Sequence, residues 1–494
     1  MDEIWKRIDD ASPRGIAAAI ARHITSGELQ AGDRLPTVRE LGAFLGVSPA
    51  TVSHAWQALS QAGLIESRGR AGSFVRQHPH NWLPPRMLGL AAGADLGPDA
   101  AHLDLSRGTP DPLLLPALAP ALSRVSARAE TMSYHELPVI PELGRVLDES
   151  WPYRAESLTV VDGALDAVAR SLEAVVRYGD KVVLESPGFP AFFDLVSALG
   201  ASVIPVSIDE SGIVPSSLAA ALKQGPSAVI LQPRAQNPTG ASMPAERARE
   251  LARVISASRV GSKLAVIEDD HSGAISTAPA VSLGTWIPEQ VLHVRSFSKS
   301  HGPDLRIAAL GGPATLIDRI VSRRMLGPGW TSRMVQRILY DLLTDGTALD
   351  EVTEARRQYY SRQKALCSAL AFYGSPPVAG IGGGAVSTDA ADTVSGSALP
   401  DGINLWLPVA NERSALVQLA AAGIRVAPGS PFLAGGAVHA GMHPGKSGLA
   451  AVPGVGPGFV RVTAGVVRSN VTEVASALAA AAMPSPPAFY TLNP

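Results

Sequence analysis

One lysine stands in a sequence context that suits covalent chemistry. Lys299 lies in the segment SFSKSHGPDLR, directly after an apolar run. A lysine amine that is held close to an aldehyde and partly desolvated forms a Schiff base. Ser296, Ser298 and Arg306 flank it, and hydroxyl groups beside a guanidinium suit the binding of phosphate. The segment therefore predicts a site that captures a phosphorylated carbonyl compound.

Two polar side chains follow apolar runs that are typical of buried strands. Asn237, in QPRAQNPTG, comes after AVIL and would donate to a phenolate-like oxygen, although an ordinary Asn-Pro turn also explains the motif. Asp269 follows LAVIE, which places it in the crevice at the carboxyl ends of an α/β sheet, where ligands bind. A carboxylate there would keep a pyridine nitrogen protonated and make the ring an electron sink. The alternative for Asp269 is a solvated strand end.

Three further motifs would contact a flat, phosphorylated ligand. Gly163 and Ala164, in VVDGALDAVARSL, open a predicted helix whose N-terminal N–H groups would bind a phosphate. Phe189, in SPGFPAF, would stack on a flat ring, with a core aromatic residue as the alternative. Arg461, in GFVRVTAG, suits the bidentate binding of a carboxylate, with a plain surface arginine as the alternative.

The first 76 residues predict three short helices and a hairpin. Each helix has a capping and proline signal, apolar residues at helical spacing and a glycine after its end. The start signals are Ser12-Pro13, Pro36-Thr37 and Ser48-Pro49. The turn between the second and third helices is only about three or four residues long, which is typical of a helix-turn-helix. The segments LIES and SFV flank RGRAG and predict a two-stranded wing with a basic tip.

The third helix of this head offers short hydrogen-bonding groups that would let it lie deep in a major groove. The candidate base-reading residues are Ser48, Thr51, Ser53 and His54. Arginines of the second helix and the wing would neutralise phosphates or enter the minor groove. These are Arg39, Arg68 and Arg70. The alternative is a small helical packing domain with solvated arginines.

The composition excludes several classes of protein. Of the 494 residues, 46% are hydrophobic and 17% are charged, which excludes a wholly disordered chain. The formal net charge is −2, so binding to nucleic acid must come from a local patch. Cys367 is the single cysteine, which excludes a disulfide framework and a multi-cysteine metal site, and we predict no metal. Without a long apolar run or a signal-peptide core, the chain is expected to be cytoplasmic and to have no membrane partner.

Beyond the head, short apolar runs alternate with amphipathic stretches, which predicts an α/β domain with a largely buried sheet. Residues 77–104 are rich in Pro, Gly, Ala and His and predict a linker. We therefore expect a winged helix-turn-helix domain at 10–76 and a ligand-binding domain at 105–494.

Both domains resemble known families. The string GELQAGDRLPTVRELGAFLGVSPATVSHAWQALSQAGLIESRGRAGSFV is similar to the winged helix-turn-helix of GntR-type bacterial regulators. The motifs of the body occur in the order found in fold-type-I aminotransferases that use pyridoxal 5′-phosphate (PLP), over about residues 103–480. Together they resemble the MocR family of transcriptional regulators. The resemblance implies a multidomain protein: a helical head with a small β wing, a large α/β aminotransferase-like domain whose sheet is mixed and mostly parallel, and a smaller C-terminal α+β subdomain.

The resemblance also implies roles for the candidate residues. Lys299 would carry PLP as an internal aldimine, Asp269 would pair with the pyridine nitrogen, and Asn237 would contact the ring oxygen. The phosphate would be held by Ser296, Ser298, Arg306, Gly163 and Ala164. Arg461 would bind the carboxylate of a small amino-compound effector. Tyr134, in TMSYHELP, matches the tyrosine that reaches the phosphate of the neighbouring subunit in a homodimer.

The chain departs from the family pattern at three positions. Pro49 stands where the recognition helix often has an arginine, and Ile140 lies near the position of an expected glycine. His271 replaces the usual tyrosine two residues beyond Asp269, and it would still hydrogen-bond the ring oxygen of the cofactor.

The function that the resemblance implies is a DNA-binding transcriptional regulator, rather than a turnover enzyme, that acts on double-stranded operator DNA. Its effector domain would bind PLP and sense an amino compound or PLP itself. Two alternatives stay open: an active aminotransferase that carries a DNA-binding appendage, and a regulator whose body has lost the cofactor.

Overall fold

The computed structural model contains two compact units, a small one within Met1–Pro84 and a large one that begins at Pro85. It describes Trp5, Ile8 and residues 10–30, 32–61, 64–67, 71–75, 83–91, 103–125, 133–378, 399–435 and 458–483. Within that part of the chain, no helix is both long enough and apolar enough to cross a membrane.

Three helices and a hairpin form the small unit. These are α1 (Pro13–Thr25), α2 (Val38–Leu45), α3 (Pro49–Gln61), β1 (Ile65–Ser67) and β2 (Ser73–Val75). The hydroxyl oxygens of Ser12, Thr37 and Ser48 each accept a backbone N–H three residues later, at 3.0, 3.2 and 3.1 Å. These caps satisfy N–H groups that have no partner within the helix. The predicted helix starts are confirmed.

A single apolar core joins the three helices to the wing. Its buried side chains include Ile16, Ile20, Leu41, Val52, Trp56 and Ile65. The two strands of the wing pair antiparallel, with Ile65 opposite Val75, and both of these side chains are buried. The spacing of apolar residues in the three helices therefore builds the predicted winged helix-turn-helix.

The elements of the large unit alternate between helix and strand over most of its length. Its helices are α4 (Pro85–Ala91), α5 (Ala119–Arg124), α6 (Pro141–Glu149), α7 (Ala164–Val175), α8 (Pro190–Ala198), α9 (Pro215–Leu222), α10 (Ala245–Ser256), α11 (Ala314–Met325), α12 (Arg333–Thr344), α13 (Gly346–Phe372), α14 (Glu412–Ala421) and α15 (Val471–Ala482). Its strands are β3 (Leu103–Leu105), β4 (Ser157–Val161), β5 (Lys181–Glu185), β6 (Ser202–Val206), β7 (Ile208–Asp209), β8 (Gly212–Ile213), β9 (Ala228–Leu231), β10 (Ala265–Asp270), β11 (Val291–Ser296), β12 (Ala308–Gly312), β13 (Leu405–Val409), β14 (Ile424–Pro428) and β15 (Gly458–Val462).

Seven of these strands form the central sheet in the order β4-β12-β11-β10-β9-β5-β6. All neighbours are parallel except β12, which runs antiparallel to both β4 and β11. Strands β9, β10 and β12 are buried along their whole length, as their continuous apolar runs predict. The mixed, mostly parallel sheet is confirmed.

A second, four-stranded sheet of order β13-β15-β14-β3 forms the smaller subdomain. Its buried face shares a core with α13, α14 and α15 through Leu366, Leu419 and Leu478. One edge strand, β3, precedes the central sheet in sequence and pairs parallel with β14. The subdomain is therefore not wholly C-terminal, because its edge comes from the start of the large unit.

The segment 77–104 is not simply the predicted linker. It includes α4 and two residues of β3, and Arg86 of α4 is buried in the large unit. The guanidinium of Arg86 donates to the carbonyl oxygens of Pro431 and Leu433, both at 2.8 Å, and lies 4.2 Å from the centre of the Phe193 ring. Composition alone missed this helix because its anchors lie far along the chain.

Candidate functional site

The parallel strands β9, β10 and β11 bring the predicted chemistry to one edge of the central sheet. Asn237 lies beyond the end of β9, Asp269 belongs to the last residues of β10, and Lys299 lies three residues beyond β11. Neighbouring parallel strands place their carboxyl ends at the same edge. The topology therefore brings together three of the residues that the sequence selected.

Asp269 is a buried carboxylate with one unused oxygen. Its Oδ2 accepts a hydrogen bond from Gln232 Nε2 at 2.8 Å, whereas its Oδ1 is buried without a donor among the described residues. Burial, and then the neighbouring Asp270, raise the pKa of Asp269 to about 6, against the opposing effect of Gln232 and Lys299. A buried acceptor without a partner is costly, so Oδ1 is the place for an N–H donor from a ligand.

Lys299 projects an amine with a lowered pKa into the same region. Its Nζ donates to the carbonyl oxygen of Gly108 at 3.2 Å. Burial and the nearby Arg461 lower the pKa of Lys299 to about 8, against the opposing effect of Asp269. Roughly a tenth of such an amine is neutral at pH 7, far more than for a solvated lysine, and the neutral form is the nucleophile.

Asn237 is fixed by its backbone and presents its side chain. Its N–H donates to Gln232 Oε1 at 2.8 Å, and its Oδ1 accepts a hydrogen bond from Asn404 Nδ2 at 3.5 Å. The Nδ2 group of Asn237 makes no hydrogen bond among the described residues, so it is a free donor in a buried position.

His271 uses its N–H elsewhere. Burial and the nearby Lys299 lower the pKa of His271 to about 3, so the imidazole is neutral and has one N–H. Its Nε2 lies 2.8 Å from the carbonyl oxygen of Ala235, which takes that N–H, and its Nδ1 faces Ser272 Oγ at 3.4 Å. The expected contact of His271 with a ring oxygen would therefore require the imidazole to release Ala235.

A second cluster forms a cradle around the start of α7. Strand register places Ser296 opposite Ala308, and Ala308 opposite Val161, so Arg306 and Gly163 lie at one sheet edge. Gly163 has φ +104° and provides no side-chain cap, and an added Cβ would lie 2.9 Å from Arg306 Nη2. The uncapped first turn of α7 and this guanidinium together suit a phosphate.

The two serines lie on the same side of the cradle. The backbone N–H of Ser298 donates to Ser296 Oγ at 3.3 Å, so the two residues are held together in the turn after β11. Ala164 is the first residue of α7, where backbone N–H groups have no partner within the helix.

Arg461 is a buried cation without a carboxylate among the described residues. It is 3% exposed, its Nη2 donates to the carbonyl oxygen of Ser106, and its Nε has no partner. Burial lowers the pKa of Arg461 to about 10, against the opposing effect of Asp104. Phe432 lies 5.3 Å below the guanidinium, and Gly108 lies against its Nη1. Since a buried unpaired charge is costly, this site suits the carboxylate of a ligand.

Two predicted residues lie apart from these groups. Phe189 is half-buried and makes an edge contact with Phe192 at 5.3 Å between ring centres. Tyr134 is 84% exposed and faces Trp330 at 6.1 Å, so it reaches no part of the site in its own chain.

The head presents its predicted DNA contacts unequally. Arg39 and His54 are exposed, and Ser53 is half-buried. The Ser48 hydroxyl caps α3 and lies 2.9 Å from Thr51 Oγ1, so these two hydroxyls are partly used within the helix start. The predicted contacts Arg68 and Arg70 lie outside the described residues.

Sequence reasoning missed a layer of buried groups behind Asp269. Gln232 and Gln236 are nearly inaccessible, and each donates a hydrogen bond to Glu185 Oε2, from the backbone N–H and from Nε2 respectively. Burial raises the pKa of Glu185 to about 8. Their positions beside strand ends would have been the available signal, but glutamine at a strand end has no specific chemical meaning by itself.

Comparison with known proteins matches both parts of the chain. Residues 101–478 match the family of class I and II aminotransferases, and residues 13–75 match the gntR family of bacterial regulatory proteins. The α-aminoadipate aminotransferase LysN of Thermus thermophilus, solved with N-(5′-phosphopyridoxyl)-L-leucine, is similar at 20% identity and a TM-score of 0.62, over 78% of this chain and 92% of that one. The aspartate aminotransferase from the same species gives 20% identity and a TM-score of 0.62, over 81% and 97%. These likenesses show the fold.

Several curated relatives share both domains' span. The chain is 35% identical over 430 residues to the vitamin B6 salvage pathway transcriptional repressor PtsJ of Salmonella typhimurium, covering 86% of this chain and 92% of that protein. It is 28% identical to the regulator TauR of Rhodobacter capsulatus, over 74% and 80%, and 26% identical to the pyridoxine biosynthesis transcriptional regulator PdxR of Corynebacterium glutamicum, over 72% and 78%. The chain belongs to the MocR family of DNA-binding transcriptional regulators, in which a GntR-type domain precedes an aminotransferase-like domain.

Proposed function

We propose that the aminotransferase-like domain of this regulator binds PLP through Lys299, and that occupancy of this site controls DNA binding by the head. The observation that carries the proposal is Asp269 Oδ1, which has no donor among the described residues and is buried at the sheet edge where Lys299 presents an amine with a lowered pKa. PLP supplies an aldehyde that condenses with amines and a ring that withdraws electrons.

Each part of PLP has a matching group in the chain. Lys299 Nζ would hold the aldehyde carbon, Asp269 Oδ1 would accept the N–H of the pyridinium ring and keep it protonated, and Asn237 Nδ2 would donate to the ring oxygen. The phosphate would be bound by Ser296, Ser298, Arg306, Gly163 and Ala164. Phe189 would cover one face of the ring. The free donor and acceptor atoms thus match the chemistry of the cofactor.

The effector would be PLP itself or an amino compound that takes the place of Lys299. Two relatives carry names that connect them with vitamin B6, which favours a B6 compound as the signal. The buried Arg461, held near Lys299 through Gly108, favours a ligand that also carries a carboxylate. A ligand shifts the regulator only if it binds two conformations with different affinity.

A homodimer would give the exposed Tyr134 a role. It stands among exposed apolar side chains that would be covered by a second subunit, with Leu137 68%, Leu122 55% and Met334 59% exposed. We infer that Tyr134 reaches the phosphate held by the partner, so that each site is completed by two chains.

The second candidate is an aminotransferase with a DNA-binding head, which the intact set of Lys299, Asp269 and Arg461 favours. The experiment that separates the two is a titration of the purified chain with PLP, followed by turnover assays with amino donors and keto acids. A visible absorbance band with at most a single half-reaction supports the regulator. Sustained turnover supports the enzyme, and no band in the presence of excess PLP contradicts both.

In the head, Arg39→Ala is expected to weaken DNA binding on all sequences, because exposed Arg39 would contact a phosphate. The slope of log K against log salt should fall in magnitude by about 0.9, the value for one phosphate contact. Anisotropy titrations at several salt concentrations measure it. Arg39→Lys keeps the charge and should retain the slope; an unchanged slope in the alanine variant would remove Arg39 from the interface.

In the cradle, Gly163→Ala is expected to weaken PLP binding by about tenfold, because the added Cβ would push into Arg306 where the phosphate is held. Binding of pyridoxal, which has no phosphate, should change little. Gly179→Ala is the matched control, since Gly179 also has a positive φ, +85°, but nothing within 4 Å of an added Cβ. Equal losses for PLP and pyridoxal would contradict a phosphate site here.

A further inference from the structure

Gln232 is the residue that connects the two polar groups proposed to face the cofactor ring. It is 3% exposed and directly follows β9. Its Nε2 donates to Asp269 Oδ2 at 2.8 Å, and its Oε1 accepts the backbone N–H of Asn237 at 2.8 Å. One amide side chain therefore spans from the carboxylate of β10 to the turn that carries Asn237.

We infer that Gln232 is a positioning residue that sets the geometry and charge state of the ring site. By occupying Oδ2, it leaves Oδ1 as the oxygen that faces the cofactor nitrogen. By accepting the Asn237 N–H, it fixes the turn from which Asn237 Nδ2 would reach the ring oxygen. This inference rests on the proposed binding of PLP.

An amide suits this position because it donates to one group and accepts from the other without adding a charge. The charged or titratable groups around Asp269 are Asp270 on its own strand, His293 from β11, Lys299 beyond β11, and Glu185 from β5. A second carboxylate in contact with Asp269 would disfavour its ionised form. Gln232 stabilises the ionised form by a hydrogen bond instead.

The backbone of Gln232 is itself held by Glu185. The Gln232 N–H donates to Glu185 Oε2 at 3.3 Å, and Gln236 Nε2 donates to the same oxygen at 3.2 Å. Burial raises the pKa of Glu185 to about 8, so this carboxyl is mostly protonated at pH 7. The support behind Gln232 thus adds little negative charge near Asp269.

The test compares wild-type chain with Gln232→Met and Gln232→Glu, using PLP as the probe. Two quantities are measured: the Kd for PLP, and the pH midpoint of the visible band of the bound cofactor. Gln232→Met should weaken PLP binding by about tenfold, the effect of losing one hydrogen bond to a charged group. Its pH midpoint should move upward, because a ring that is less firmly protonated at nitrogen withdraws fewer electrons.

Gln232→Glu gives a sharper result because it can still donate when protonated. Near pH 5.5 the introduced carboxyl should carry a proton, donate to Asp269 and bind PLP almost as the wild type does. Near pH 8 two carboxylates would share the site, and affinity should fall by more than tenfold relative to wild type at the same pH.

Gln336→Met is the matched control for the loss of a buried glutamine. Gln336 is fully buried, accepts the N–H of Ile140 at 2.9 Å and donates to Pro138 and Thr331, with no hydrogen bond to Asp269. It should lower the melting temperature and leave both PLP measurements unchanged.

The outcomes separate this inference from the proposed function. If wild type shows no visible band with PLP, the proposed function fails. If wild type binds PLP and Gln232→Met has the same Kd and midpoint, the positioning role is overturned. Should Gln232→Met fail to fold, a pH-independent affinity of Gln232→Glu, equal to wild type, would overturn it in the same way.

Discussion

Lys299→Ala is expected to abolish covalent capture of PLP. In wild type, borohydride reduction after incubation with PLP should leave a stable adduct on the peptide that contains Lys299, detected by mass spectrometry, and the variant should show none. The reason is that the Lys299 amine lies at the sheet edge beside the buried Asp269 carboxylate and has a pKa lowered to about 8. Capture should become faster by several-fold between pH 7 and pH 8, as the neutral fraction of the amine rises.

The control for this variant is Lys181→Ala. Lys181 is exposed and donates to the carbonyl oxygen of Gln224 at 3.3 Å, so its amine is an ordinary surface group. Its loss should leave the adduct and the visible band unchanged. An adduct of wild-type yield in Lys299→Ala, located on another lysine, would show that the wrong amine has been chosen.

Asp269→Asn should have two opposite effects. PLP affinity should fall by roughly a hundred- to a thousandfold, because a buried pyridinium would lose its counter-charge at a cost of about 3–5 kcal/mol. The chain without PLP should become more stable at pH 7. In the fold the pKa of Asp269 is raised from 3.8 to about 6, so the folded state binds this proton more tightly than the unfolded state.

The sign of the pH dependence follows from that proton. The contribution of Asp269 to the free energy of unfolding is fully present below about pH 4 and is lost as the pH rises to about 6, up to about 3 kcal/mol. Asp269→Asn removes this loss. Denaturant unfolding of the PLP-free chain at pH 4, 5, 6 and 7 should therefore show a smaller decline in the variant than in wild type.

Asp270→Asn supplies the opposite pattern from the neighbouring residue. Asp270 is equally buried but is paired with Arg234, with Nη2–Oδ2 and Nε–Oδ1 distances of 2.6 and 2.9 Å. Its replacement should lower stability, since a buried arginine loses its partner, and change PLP affinity little. A loss of PLP affinity in Asp270→Asn as large as that in Asp269→Asn would contradict the specific role given to Asp269.

The convergence of Lys299, Asp269 and Asn237 could be predicted because it depends on a rule of topology. Each residue follows an apolar run of the kind that forms a buried parallel strand, and parallel strands end at one edge of the sheet. The helix starts of the head were predictable for a similarly local reason. Caps such as Ser12 and Thr37 act on N–H groups only three residues away.

The remaining features depend on contacts between distant parts of the chain. Helix α4 is held by Arg86, whose partners Pro431 and Leu433 lie 345 and 347 residues later. Gln232 gains its importance from a hydrogen bond to Asp269, 37 residues away on another strand. For His271, the sequence indicated the position, but the Ala235 carbonyl that takes its N–H depends on the path of the turn after β9.

The central claim is that PLP on Lys299 controls the grip of the head on DNA. The most direct measurement is the Kd of the full chain for the DNA adjacent to its own gene, determined by anisotropy at fixed salt with and without saturating PLP, in wild type and Lys299→Ala. We predict that PLP changes the wild-type Kd by at least about fivefold, within the usual range of allosteric coupling, and leaves the variant unchanged. Identical responses to PLP in the two proteins, or a wild-type Kd that PLP does not alter, would contradict the account.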